Sequence, residues 1–143
     1  MINPTPRYFR KPNRKILRKT YENKSNRLRF GDFGLQALQH GFLTVKQIEA
    51  VRRTITSKLK RKGKVWIRAF PDYARTAKPK EVRMGRGKGN VDHWVCYVKP
   101  GRILFEVKSK TREKSTALLE DALSFSIRKL PFPAQVVSRT LSL

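Results

Sequence analysis

The chain has 143 residues, with 34 Lys and Arg against 10 Asp and Glu and a formal net charge of +24. That length fits one domain with a real core, and that imbalance repels itself unless a polyanion offsets it, so nucleic acid is the expected partner. No apolar run approaches the roughly 20 residues that cross a bilayer, and no basic amphipathic helix shows a broad apolar face, so no membrane partner is expected.

Residues 1–27 read as a basic extended arm. Pro4, Pro6 and Pro12 break helix, and ten cations between Arg7 and Arg29 repel one another, so the arm is expected to order only against its partner. Its composition has the look of a transit peptide. Cations in pairs beside aromatics, with few Ser or Ala between them, favour an RNA-binding arm instead. Tyr8 and Phe9 have no core to join and are candidates to stack on bases.

Residues 28–143 read as a single α+β RNA-binding domain. Leu28, Phe30, Phe33, Leu35 and Leu38, set among Gly31 and Gly34, predict a strand bulged at a glycine, and His40-Gly41 predicts a turn. Thr44-Val45-Lys46-Gln47 has capping-box spacing. Ile48, Val51, Ile55 and Leu59 line one face of the helix that follows, and Gly63 is expected to stop it. Lys46, Arg53 and Lys60 recur every seven residues as a basic flank, and no acid interrupts the seven cations from Arg52 to Lys64.

Lys64–Phe70 predicts a strand that Pro71-Asp72 ends. Residues 73–90 have no hydrophobic periodicity and carry three glycines alternating with cations, Gly85-Arg86-Gly87-Lys88-Gly89. Trp94–Val98 and Ile103–Val107 flank Lys99-Pro100-Gly101-Arg102, which predicts a hairpin. A second helix is expected to begin between Thr111 and Thr116, bury Leu119, Leu123, Ile127 and Leu130, and stop at Pro131 and Pro133. Gln135–Leu141 reads as a closing strand. The order implies an α+β sandwich, two helices packed on a mainly antiparallel sheet, with a long basic glycine-rich loop.

The glycine run is not a nucleotide-binding loop. It lacks the terminal Lys-Ser or Lys-Thr of a Walker motif and the G-x-G-x-x-G order, and a strand follows where a helix is needed. Locally it also fits a solvated flexible loop; the charge background favours contact with a polyanion. Cys96 is the single cysteine, which excludes an internal disulfide, and with only His40 and His93 available a structural zinc site is excluded too. His93 and Cys96 are three apart in a strand and fall on opposite faces, so Cys96 reads as core. Glu106, Glu113, Glu120 and Asp121 read as surface acids, and Trp66 and Trp94 as core. No catalytic constellation is visible, and no enzyme activity, metal or cofactor is expected.

Leu43–Arg53, Gly63–Asp72 and Val82–Val91 closely resemble blocks of the family of the sixteenth protein of the bacterial-type large ribosomal subunit. Phe30–Leu35 and Lys129–Pro131 match it in order and type, so the resemblance spans roughly residues 4–141. It implies an α+β structural protein near the aminoacyl-tRNA site and the peptidyl transferase region. The implied partners are large-subunit rRNA, aminoacyl-site tRNA and neighbouring ribosomal proteins, with no homo-oligomer. Carried over, Arg83, Met84, Gly85, Arg86, Gly87, Lys88 and Gly89 form the loop toward tRNA. Arg7, Tyr8, Arg10, Lys11, Arg14 and Lys15 of the arm, with Lys46, Arg52, Arg53, Lys60, Arg61 and Lys64, grip rRNA. The arm lacks the family's glycine-containing basic repeat, and Val107–Arg112 is longer and more basic than the family's acidic-glycine turn. These departures point to an organellar ribosome, first a mitochondrial one, with plastid or bacterial cytoplasm as alternatives. The absence of a separate transit extension implies a gene in the organelle's own genome. A free RNA-binding regulator or assembly factor is the alternative function with the same charge.

Overall fold

A computed structural model describes residues 4, 11–13, 20–60, 62–109 and 116–139. Its elements in chain order are β1 (Phe33–Ala37), β2 (Gly41–Thr44), α1 (Val45–Lys58), β3 (Gly63–Ile67), β4 (Tyr73–Ala77), β5 (Asn90–Val98), β6 (Ile103–Ser109), α2 (Thr116–Ile127) and β7 (Ala134–Ser138). The α+β architecture holds, but the described strands form two antiparallel sheets rather than one, ordered β3-β6-β1-β7 and β2-β5-β4. The helices pack on each other and on the four-stranded sheet, and α1 also reaches β2 and β5. Leu35, Phe105, Ile48, Ile55 and Leu123 are fully buried where these layers meet. Each such side chain contributes about 1.5–3 kcal/mol by leaving water.

The capping box forms as its spacing predicts. Gln47 N donates to Thr44 Oγ1 at 3.3 Å, and Thr44 N donates back to Gln47 Oε1 at 2.9 Å. The far end of α1 corrects the sequence reading. The helix stops at Lys58 with Leu59 as its C-cap, Lys60 takes a left-handed φ of 46°, and Gly63 opens β3 opposite Ser109. Leu59 stays buried, so the chain turns away as soon as the apolar stripe ends. Lys58 is the basic residue of the last helical turn.

The predicted hairpin is also corrected. The Lys99–Arg102 turn closes, with Arg102 N donating to Lys99 O at 3.2 Å. Its two strands nevertheless part: β5 pairs with β2 and β4, while β6 pairs with β1 and β3. The end of β1 captures the turn, since Gly101 N donates to Ala37 O at 2.7 Å and Ala37 N donates to Arg102 O at 3.0 Å. Longer-range pairing thus takes strands that local sequence joins. Two further strands are additions: β2, which begins at the glycine read as a turn, and β4, within the stretch read as aperiodic. The irregularity in β1 falls between Leu35 and Gln36, not at a glycine.

Glu106, read as a surface acid, is fully buried. Its Oε2 accepts from three successive backbone N–H groups, Arg29 at 3.1 Å, Phe30 at 2.6 Å and Gly31 at 2.8 Å. Its Oε1 accepts from Arg68 Nη1 at 2.6 Å, and the same nitrogen donates to Arg27 O at 2.6 Å. Burial pushes this carboxyl up, but the N–H groups of Gly31 and Phe30, the Arg68 guanidinium and the Arg29 N–H outweigh it and hold the pKa below the ordinary value. The knot fixes the chain just ahead of β1 onto β6 and the end of β3. Upstream, Glu22 N donates to Pro100 O and Ile103 N to Ser25 O, each at 2.9 Å. Trp66 and Trp94 are half-buried rather than core, and Trp66 stacks on the exposed Phe30 with centroids 6.1 Å apart.

Candidate nucleic-acid interface

The glycine loop is the connection of a β4–β5 hairpin, antiparallel from Tyr73↔Val95 to Ala77↔Asn90. Pairing of small and polar residues carries the strands beyond the core and lifts the loop away from it. Residues 79–88 are exposed throughout, and Met84 is 96 % exposed. Gly85, Arg86 and Gly87 take φ of 103°, 53° and 82°, a left-handed run that glycine accepts freely and Arg86 holds at a cost of roughly 1–2 kcal/mol. Nothing lies within 4 Å of a Cβ built at Gly85 or Gly87, so backbone sign rather than crowding calls for glycine there. Gly89 differs, because a Cβ at that position would collide with the Ala77 carbonyl. The loop is closed internally by Lys78 Nζ, which donates to Gly85 O. Arg83, Met84, Gly85, Arg86, Gly87 and Lys88 thus share one solvent-facing tip with Gly89 at its base.

Arm and loop, separate in the sequence reading, meet in the structure. Lys11 Nζ donates to Lys88 O at 3.1 Å and to Asn90 Oδ1 at 3.5 Å. Lys88 Nζ donates to Pro12 O, and the Tyr73 hydroxyl donates to Asn13 O. Arg7, Tyr8, Phe9, Arg10, Arg14, Lys15 and Arg61 lie outside the described residues.

On α1, Lys46 and Arg53 are exposed and Arg52 is half-buried, and Lys60, just past the C-cap, is exposed. Arg52, Arg53, Thr56, Ser57 and Lys60 line an open groove of about 440 Å³. Lys46 does not line it, and Lys64 sits on β3 with Nζ 5.0 Å from the Trp66 ring. Glu49, three and four residues upstream, governs the two arginines. It accepts from Arg52 Nη2 at 2.6 Å and Nε at 2.9 Å, and from Arg53 Nε at 3.1 Å. The Arg52 hydrogen bond, against some burial and with help from Arg53, holds the Glu49 carboxyl at about 2. The flank therefore keeps a positive balance, but its guanidinium groups are oriented rather than bare.

Sequence reasoning missed Lys78 and Tyr73 at the loop base, which only the unrecognised β4 brings there. It also missed the grouping of Lys58 with Arg128, whose cationic groups lie 4.5 Å and 5.6 Å from the centroid of the exposed Phe125 ring. That grouping needs the α1–α2 packing. Cys96 is buried and His93 exposed, as the strand alternation requires. Among the described residues, no helix is long and apolar enough to cross a membrane.

The profile of the family described as Ribosomal protein L16p/L10e matches residues 4–137. The chain is 46% identical over 141 residues to a large ribosomal subunit protein uL16 of Psychrobacter cryohalolentis, covering 99% of each chain. The protein of the same name from Psychrobacter arcticus is equally similar. That of Thioalkalivibrio sulfidiphilus is 44% identical over 137 residues, covering 91% of this chain and 97% of its own.

Proposed function

The chain belongs to the ribosomal protein L16p/L10e family, a constituent of the large ribosomal subunit, and from that premise we propose how it is divided between two RNAs. Residues 1–27 act as an arm and 28–143 as one RNA-binding domain. The arm, through Arg7, Tyr8, Arg10, Lys11, Arg14 and Lys15, and the helix side, through Lys46, Arg52, Arg53, Lys60, Arg61 and Lys64, hold large-subunit rRNA. Arg83–Gly89 contacts the backbone of aminoacyl-site tRNA near the peptidyl transferase centre. Neighbouring ribosomal proteins complete the setting, and the chain itself is a non-catalytic monomeric scaffold.

The observation that carries this reading is the exposed left-handed tip of the loop, whose cations Arg83, Arg86 and Lys88 face solvent with no acid ion-paired to them among the described residues. Phosphate oxygens take such donors through charge-assisted hydrogen bonds. The arm and flank supply binding that weakens with salt, each neutralised phosphate adding about 0.7–0.9 to the log–log slope. Arg83→Ala with Arg86→Ala is expected to weaken aminoacyl-tRNA binding to reconstituted ribosomes while leaving assembly intact; normal tRNA affinity overturns the tRNA role. A free regulator or assembly factor sediments away from large subunits after a salt wash that leaves other core proteins bound, whereas a subunit constituent stays.

The ribosome is the location, and the basic sequence of the arm and of residues 107–112 supports a mitochondrial one. Identity of 46% to bacterial relatives favours bacterial cytoplasm as the second reading. Fractionation of source cells separates these: recovery in mitochondrial ribosomes supports the first, and recovery in plastid or bacterial cytoplasmic ribosomes replaces it.

A further inference from the structure

We infer that Lys11–Asn13 is a strap that positions the glycine loop, so that arm and loop engage RNA as one coupled surface. This rests on the reading of the loop as a tRNA contact. The loop has little else to place it: residues 79–88 are exposed, and Lys78 to Gly85 O is an internal closure. The strap supplies contacts from outside the hairpin, between residues 60 to 79 positions apart. They are reciprocal. Lys11 Nζ donates to the Lys88 carbonyl, and Lys88 Nζ donates to the carbonyl of Pro12, the residue after Lys11, so each ammonium is held by a backbone carbonyl of the opposite segment. Tyr73, on β4 itself, fixes the strap's far end through Asn13 O.

Two consequences follow from the chemistry. A loop held at its base loses less freedom when it docks, which raises its affinity. A phosphate arriving at Lys88 competes with the Pro12 carbonyl and forms the stronger, charge-assisted bond, so occupancy of the loop alters the strap. Coupling of this kind is reciprocal, so seating the arm on rRNA sets the loop's affinity for tRNA and the converse also holds. Lys11, Asn13 and Tyr73 are then positioning residues for the tip.

Tyr73→Phe tests this without changing charge. The Phe42 ring stacks on the Tyr73 ring at 6.2 Å, and phenylalanine keeps that contact. In ribosomes reconstituted with the full-length variant, aminoacyl-tRNA affinity is expected to fall about threefold to tenfold, the scale of one hydrogen bond. The salt slope is expected to stay unchanged, since no cation is lost. Hydrogen exchange of the 83–89 amides in the free protein is expected to quicken. Lys11→Met should show the same exchange and a larger affinity loss, and Lys11→Arg, which keeps a donor and the charge, should restore both. Wild-type loop exchange in Tyr73→Phe and Lys11→Met overturns the strap, as does an affinity loss in Lys11→Met that Lys11→Arg fails to rescue. If Arg83→Ala/Arg86→Ala leaves tRNA affinity normal, the tRNA reading fails, and loop exchange in Tyr73→Phe still decides the strap.

Discussion

The α1 flank and the root of the arm are both built on a glutamate gripping arginine, and they do opposite things. At the arm root, Glu106 is buried, its Arg68 partner is 13% exposed, and three backbone N–H groups complete the shell. On α1, Glu49 and its two arginines face water, with the side chains 33% to 75% exposed. The first pair joins distant segments and cannot be opened without leaving a charge in the interior. The second joins neighbours on one helix and only sets the direction in which guanidinium groups point. Burial, not the ion pair itself, separates a structural knot from an adjustable surface pair.

Removing Glu106 should break that comparison most severely. Glu106→Ala strands the Arg68 guanidinium and three N–H donors, and about 3–5 kcal/mol of stability is expected to be lost by denaturant unfolding. Acid should act on the same group more gently. Its folded pKa lies below the ordinary carboxylate value of 4.5, so the unfolded chain binds the proton more readily. Its contribution is therefore complete above about 4.5 and is lost as pH falls through the lower folded value. Stability measured from neutral pH into that acid window should decline in the wild type and decline less steeply in Glu106→Gln. Equal slopes would show that the knot's charge is not what is being titrated.

The loop should show the reverse pattern. Arg83→Ala with Arg86→Ala touches no core, so its stability is expected to remain within about 0.5 kcal/mol of wild type while tRNA binding falls. A marked loss of stability would mean that the tip is part of the folded body.

How much of this the sequence displays depends on range. The Thr44–Gln47 cap and the Ile48–Ile55 stripe are local, and spacing alone places them; α2 instead stops at Ile127, short of Pro131, and leaves Leu130 outside the helix. The glycine loop is legible as an exposed basic segment because nothing in it can pack. What is lost is whatever distant strands decide. β4 buries only Ala74, so its alternation is too faint to read, and with it goes the fact that the loop tips a hairpin. Glu106 looks like any strand acid until residues 29–31 are folded over it. Arm and loop look independent until β4 brings Tyr73 to Asn13. The excess of positive charge is legible from composition, whereas the partners that position the loop's charges lie tens of residues away.

Glu49→Gln offers the smallest but most discriminating change. An exposed ion pair is worth about 0–1 kcal/mol, so unfolding should barely register its loss. The amide still accepts a hydrogen bond from Arg52, but it no longer neutralises part of the groove lined by Arg52, Arg53 and Lys60. If this flank meets rRNA phosphates, binding to a large-subunit rRNA fragment should tighten at low salt. Its salt dependence should steepen by about 0.7–0.9 for each further phosphate neutralised. Should Glu49 instead serve to aim the arginines, binding will weaken despite the added positive charge. The sign of that one change tells whether the acid restrains the flank or focuses it.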